Sequence, residues 1–253
     1  LVWTPNSVTE PLDFPEIAEL SKNYTLKGEG AKTLVSGLKF GKDSITDGVT
    51  YLGLFGEIKG NVENVTLRNA TLIYDAKDAY SSVEAAGILA GRCEGNLTSV
   101  TVQSEKTTGT KTQKAAANGT TVKVTLNNQN CSAIGGVVGL VATKNNENNT
   151  YQRVDKRKFT NVSFYGEVEA VLPGKNITAG MNMESDATYG IGGIVGVAKL
   201  KNNENTGMIH CENYASVSGN YCTGGIVGKL DGEFTTTVTT GTDLSTISNI
   251  RKS

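Results

Sequence analysis

The sequence predicts an all-β fold, a single-stranded right-handed parallel β-helix with a short N-terminal capping helix. Three observations predict it. A glycine-bounded aliphatic phrase recurs five times, strand-like alternation follows most copies, and the spacing between copies is uneven. A coil of this kind cannot bury its apolar side alone, and stacking the coils makes one continuous core. Repeats of this sort are the signature of a stacked architecture rather than of a mixed globular domain.

The only helical signal lies near the start. Asp13-Phe14-Pro15-Glu16 fits a capping box, with Asp13 as N-cap and Glu16 three residues on. Pro15 to Leu20 is then a short helix covering the open end of the stack, and residues 1–20 form an N-terminal segment ahead of a β-helix domain spanning 21–253. Residues 21–50 hold a looser first coil, with Tyr24-Thr25-Leu26 and Leu34-Val35-Ser36-Gly37-Leu38 as its strands.

The recurring phrase reads Gly53-Leu54-Phe55-Gly56, Gly87-Ile88-Leu89-Ala90, Gly136-Val137-Val138-Gly139, Gly193-Ile194-Val195-Gly196 and Gly225-Ile226-Val227-Gly228. By this alignment Leu54, Ile88, Val137, Ile194 and Ile226 share one interior position, and Ala90 replaces a glycine. The intervals are 34, 49, 57 and 32 residues. The two shortest suggest a basic coil of about 30 residues and about six coils in all, with loops leaving the longer ones.

A second phrase follows each copy except the last. It is Asn64-Val65-Thr66-Leu67, Ser99-Val100-Thr101-Val102, Asn161-Val162-Ser163-Phe164 and, more loosely, Glu212-Asn213-Tyr214-Ala215. Val122, Val124 and Leu126 alternate with polar neighbours in the same way. Period two with β-branched residues marks a half-buried strand. The fifth copy is followed only by a Thr-rich run from Phe234 to Thr240.

Composition narrows the function classes. The chain has 253 residues, 30 glycines, four prolines and a formal net charge of −1. A balance that close to zero gives no electrostatic reason to expect a nucleic acid or an anionic membrane. No apolar run is long enough to span a bilayer. Leu1 in place of a methionine reads as a trimmed product, with any targeting segment already gone. Cys93, Cys131, Cys211 and Cys222 show no C-x-x-C spacing, and His210 is the only histidine, so no zinc site, other metal site or cofactor is expected. Buried thiols and a disulfide both remain open.

The Gly-Gly-Ile-Val-Gly and Asn-Val-Thr phrases resemble the GLUG repeats of bacterial surface proteins common in gut anaerobes. The stretch from Tyr24 through Gly56 is similar to the lead-in that precedes such repeats. The resemblance covers about residues 21–228. It implies a pectin-lyase-like solenoid and an extracellular or cell-surface, adhesin-like setting, and bears on location and architecture more than on activity.

The most specific local feature is a duplicated pentapeptide. Lys144-Asn145-Asn146-Glu147-Asn148 and Lys201-Asn202-Asn203-Glu204-Asn205 each begin eight residues after Gly136 or Gly193. Asn145, Asn146, Glu147, Asn202, Asn203 and Glu204 are therefore the candidate ligand-binding residues, a polar ledge for a glycan or a host or surface protein. Carboxamides suit sugar hydroxyls because each offers a donor and an acceptor. The competing reading is an asparagine turn, since asparagine tolerates left-handed backbone and bonds its own chain. Two carboxylates are few for a calcium site.

Other features read as structural. Lys106 to Asn130 is a Thr- and Asn-rich excursion with a hairpin signal at Asn118-Gly119. Tyr151 to Lys158 is a basic loop, read as solvated. Eight N-x-S/T sites, at Asn23, Asn64, Asn69, Asn96, Asn118, Asn148, Asn161 and Asn176, follow from asparagine at a corner before an in–out strand. Asp75, Asp78, Glu84, Glu167 and Glu169 are the carboxylates weighed for polysaccharide hydrolysis or elimination. Their spacing is that of a solvent face, so no residue is assigned a catalytic role. The alternatives to a recognition module are a carbohydrate-active β-helix, lyase- or hydrolase-like, and a structural spacer.

Overall fold

The computed structural model describes residues 17–29, 34–40, 50–76, 83–104, 120–128, 130–172, 188–201, 203 and 205–232. Over these residues the regular structure is nearly all strand, and the chain repeats one itinerary. The first pass comprises β1 (Ile17–Leu20), β2 (Thr25–Lys27), β3 (Leu34–Ser36), β4 (Lys39–Phe40) and β5 (Tyr51–Leu52). The second is β6 (Phe55–Ile58), β7 (Asn61–Arg68), β8 (Thr71–Asp75) and β9 (Ala85–Ala86). The third is β10 (Ala90–Cys93), β11 (Leu97–Gln103), β12 (Thr121–Thr125) and β13 (Cys131–Gly135).

The fourth pass is β14 (Val138–Val141), a hairpin of β15 (Thr143–Asn145) and β16 (Thr150–Gln152), then β17 (Lys158–Phe164), β18 (Glu167–Val171) and β19 (Thr188–Gly192). The fifth is β20 (Val195–Leu200), β21 (Gly207–Ile209), β22 (Glu212–Asn213), β23 (Ser216–Gly219) and β24 (Thr223–Gly224). A sixth opens with β25 (Val227–Gly232).

Equivalent strands of successive passes pair in parallel and build four sheets, ordered β1-β6-β10-β14-β20-β25, β2-β7-β11-β17-β21, β23-β18-β12-β8-β4 and β24-β19-β13-β9-β5. In the second sheet β3 also pairs with β7, and β22 with β17. Among the described residues the one antiparallel pair is β15 with β16. Ile17–Leu20, expected as the end of a capping helix, is instead the edge strand of the first sheet, with Ile17 opposite Phe55. A short capping signal has lost to an open parallel edge, whose unpaired backbone groups the strand satisfies. Asp13 to Glu16 lie outside the described residues, as do Asn118-Gly119 and the Thr-rich run from Phe234.

The inward side chains of the four sheets form one core. It runs from Leu38 and Phe40 through Leu67, Leu72, Val100, Val122, Ile134, Val162 and Phe164 to Ile191 and Ile194. A column through the first sheet joins Leu54, Leu89, Val137, Ile194 and Ile226. Each member lies one residue before a paired position, and the pairs are Phe55↔Ala90, Ala90↔Val138, Val138↔Val195 and Val195↔Val227. The second repeat is thus shifted by one relative to the expected alignment. Leu89, not Ile88, partners Leu54 and Val137, and Ile88 takes the place of Gly136. Ile226, in the last described pass, is only partly buried.

The shift also moves a glycine. Gly91, rather than Ala90, matches Gly139, Gly196 and Gly228. A Cβ at these four positions would fall 2.6 Å from Leu52 N, 2.5 Å from Ala86 N, 2.4 Å from Ile134 N and 2.3 Å from Ile191 N. Those four residues are themselves register partners. At this corner the first-sheet strand of one pass touches the backbone of the fourth-sheet strand two passes earlier, and no side chain fits.

The second phrase carries a backbone device that its sequence shows only in part. Asn64, Ser99 and Asn161 have φ of 55°, 55° and 55° within β7, β11 and β17. One left-handed residue lets the strand set two outward residues side by side, so that Val62 and Val65, or Phe159 and Val162, both point inward. The next member of the column is His210, at φ 51°. The pairs Thr160↔Ile209 and Ser163↔Glu212 fix this register. The fourth copy therefore reads His210-Cys211-Glu212-Asn213, and Tyr165 stacks on Tyr214 at 4.5 Å in consequence. All four cysteines are free; Cys93, Cys131 and Cys211 are buried, and burial pushes the Cys93 thiol up to about 12.

Candidate functional site

A second apolar cluster lies on the opposite face of the first and fourth sheets. Tyr51, Ala85, Cys131, Ala133, Leu140, Ala142 and Val197 are buried there, with Tyr151 packed against them. Such residues alternate with core residues along the same strands and would face water in a plain coil. The hairpin β15–β16 covers them. After Ala142 the chain leaves the coil, turns at Asn146–Asn149 and returns, and Val154 bridges to Leu200 of the next pass.

Tyr151 clamps the hairpin down. Its hydroxyl donates to Glu84 Oε2 and lies 2.8 Å from the Tyr51 hydroxyl. Lys144 Nζ is 3.5 Å from Glu84 Oε2 and sits over both tyrosine rings, at 5.6 Å and 5.5 Å from their centres. Burial raises the Glu84 carboxyl, and Lys144 only partly offsets it. Arg92, buried beneath, bonds Glu57 at 2.6 Å, Glu94, and the Ala142 carbonyl at 3.0 Å. Its guanidinium also lies 5.3 Å from the Tyr51 ring centre. Lys59 extends the chain of charges to Glu57 at 3.4 Å and Glu19 at 2.6 Å, which holds the Glu19 carboxyl low.

Beside the return leg of the hairpin runs an open groove of about 720 Å³. It crosses the passes, from Lys22 after β1, past Lys59 and Glu94, to Lys199, Lys201 and Asp231. Thr143, Tyr151, Gln152, Arg153, Asp155 and Arg157 form the wall given by the hairpin. Arg153 is anchored to Asp231, 2.8 Å from Nη2, and Lys199 to the other oxygen at 3.1 Å. Burial alone would raise the Asp231 carboxyl, but these two cations outweigh it and hold it below its ordinary value. Arg157 donates from Nε to Glu94 O at 2.6 Å and from Nη1 to Lys156 O at 3.1 Å.

The duplicated pentapeptides stand at the margin of this site, and their described residues make different hydrogen bonds. Asn145 ends β15, and its Oδ1 accepts from Glu147 N at 2.9 Å; Asn148 Oδ1 accepts from Thr150 N and Oγ1. Asn146 and Glu147 form the exposed hairpin tip. In the second copy Asn203 Oδ1 accepts from Asn205 N, and Asn203 Nδ2 donates to Asp155 Oδ1 at 3.1 Å. Asn202 and Glu204 lie outside the described residues. Among the described residues the two pentapeptides share no hydrogen bond, because the return leg 153–155 takes the rung beside Leu200 and Lys201.

Sequence reasoning passed over the strongest feature. The basic run Tyr151 to Lys158 reads as a solvated loop, yet it walls the groove. The available signal was its clustering of four cations inside the longest interval between repeats. Of the carboxylates weighed for catalysis, Glu167 and Glu169 are exposed on β18, with Glu169 3.0 Å from Lys123. Asp75 is exposed, Asp78 lies outside the described residues, and Glu84 belongs to the clamp. Among the described residues no group of three His, Cys, Asp or Glu side chains is placed to hold a metal ion, and no helix is long and apolar enough to cross a membrane. No family model, curated protein or solved structure matches the chain.

Proposed function

We propose that the chain is an extracellular, non-catalytic recognition module. In this reading it is a right-handed parallel β-helix of about six coils, similar to the GLUG-repeat surface proteins, and it binds a glycan or a surface protein through features grafted on its coils. The cyclic order of the four parallel sheets supports the solenoid. The recognition reading rests on one observation. The hairpin β15–β16, an insertion in a single pass, is clamped by buried polar contacts and walls an open groove of a size typical for ligand sites.

The chemistry of the groove favours binding over turnover. Glycoside hydrolysis asks for a protonated acid opposite a second carboxylate. Asp231 is held ionised between Arg153 and Lys199, and Glu94 is tied to Arg92. Glu84 has the raised affinity for a proton that an acid catalyst needs, but its oxygen is engaged by Tyr151 and Lys144 beneath the hairpin.

The test is an array of neutral and acidic glycans and extracellular proteins probed with the purified chain, with reducing-end and unsaturated-product assays on every glycan that binds. Selective binding without turnover is expected. Turnover would establish a carbohydrate-active enzyme, and silence across the array would leave a spacer.

A further inference from the structure

We infer that the groove takes an acidic polysaccharide, a chain bearing carboxylate or sulfate groups, laid along the stacking axis. This deepens the recognition reading and rests on it. Among the described residues six cations line the groove, Lys22, Lys59, Arg153, Arg157, Lys199 and Lys201, against three carboxylates. The carboxylates are already engaged. Asp231 is held by Arg153 and Lys199, Glu94 by Arg92, and Asp155 accepts from Asn203 with Lys201 at 4.0 Å.

The cations left over define the ligand. Among the described residues Arg157 touches no carboxylate; two backbone carbonyls, of Glu94 and Lys156, fix its guanidinium through Nε and Nη1. A guanidinium held this way is pre-organised for a planar or tetrahedral oxyanion. Lys22 is exposed on the first pass, and Lys201, though 4.0 Å from Asp155, keeps its side chain 58% exposed on the fifth. At a strand spacing of about 4.8 Å, the stretch from the first to the sixth pass covers about 24 Å. Each rung is close to the length of one sugar residue in an extended chain, so anionic groups on a regular polymer can meet successive rungs. Thr143 and Gln152 add uncharged partners for hydroxyls.

A nucleic acid fits less well. The whole chain carries a net charge of −1, so the excess of cations is a local island. Among the described residues that line the groove the one aromatic side chain, Tyr151, is spent on the clamp and offers no platform for base stacking.

The experiment titrates the purified chain by calorimetry with four probes: an oligogalacturonate, its methyl-esterified neutral form, a heparin-derived oligosaccharide, and a single-stranded oligothymidylate. Either acidic oligosaccharide should bind, the neutral ester should not, and affinity should fall with added salt. The two acidic arms separate carboxylate from sulfate recognition. Arg157→Gln should weaken binding at least about tenfold, the scale of one lost charge-assisted hydrogen bond. Lys201→Gln, at an exposed position, should weaken it less, and both variants should keep the parent melting temperature. Should Arg157→Gln unfold the protein, the Lys201→Gln result and the salt dependence decide alone. Equal binding of the ester, unaffected by either variant, overturns the acidic-ligand inference and leaves glycan recognition standing. Failure of both acidic probes overturns the inference whatever the array returns, and tighter binding of the oligothymidylate does the same.

Discussion

Asn161 and His210 occupy one column of the second sheet, one pass apart, with φ of 55° and 51°. They look unrelated in sequence and do the same backbone work. Each turns the strand by one left-handed residue, after which a buried side chain, Val162 or Cys211, points into the core. Asparagine and histidine are enriched among the non-glycine residues that tolerate this conformation.

The column predicts a substitution pattern. Asn161 is exposed, so changing its side chain tests the backbone alone. Asn161→Val should lower stability by roughly 1–2 kcal/mol, the cost of left-handed backbone for a branched residue. Asn161→Gly should be near neutral. Urea denaturation with an unchanged m-value would separate the two, and equal stability of both variants would mean that the left-handed turn is absent.

The corner glycines give a test of register. Gly91→Ala should destabilise by about 1–3 kcal/mol, because the new methyl meets Leu52 N at 2.6 Å and Tyr51 Cβ at 2.5 Å. The neighbouring alignment, with Ala90 in the glycine place, would make the same change harmless. Thermal melting of the single variant decides between them.

The clamp predicts a pH dependence. Burial raises the Glu84 carboxyl above its ordinary 4.5, so the folded state binds this proton more tightly than the unfolded chain does. The resulting stability is fully present below pH 4.5 and is lost as pH rises through the raised value. Asp231 runs the other way. Its lowered carboxyl contributes stability above 3.8 that is lost as pH falls through the depressed value. Glu84→Gln should therefore flatten the decline in stability just above pH 4.5 and leave the acid limb intact. Denaturation midpoints across pH 3 to 8 would read this out, and an unaltered upper limb would remove Glu84 as its source.

Much of the fold was legible in local pattern. Val65 with Leu67 and Val100 with Val102 announce strands, and both are buried in β7 and β11. The repeated glycines announce the corners. What local pattern misjudged was register, by one residue at Ile88–Leu89 and by two at Glu212. A one-residue insertion leaves the string Gly-Ile-Leu-Ala looking like its relatives, while backbone contact with Leu52 places Gly91 in the glycine site. The candidate site was less legible. Asn145 and Asn203 were found as turn-formers at its margin, but Arg153 meets Asp231 78 residues away, and Tyr151 meets Glu84 across 67.

The sequence by itself determined that this chain stacks β-strands. Alternation, β-branching and spaced glycines act over a few residues, and no competing helical period opposes them after Leu20. Tertiary structure alone decided which loop mattered. Whether a basic run is solvated or walls a groove depends on what the neighbouring passes place beside it. Here a hairpin found an apolar face at Tyr51, Leu140 and Val197 to cover. The buried area and the Tyr151–Glu84 bond hold it there, and the cations of its return leg line up with those of the passes above and below.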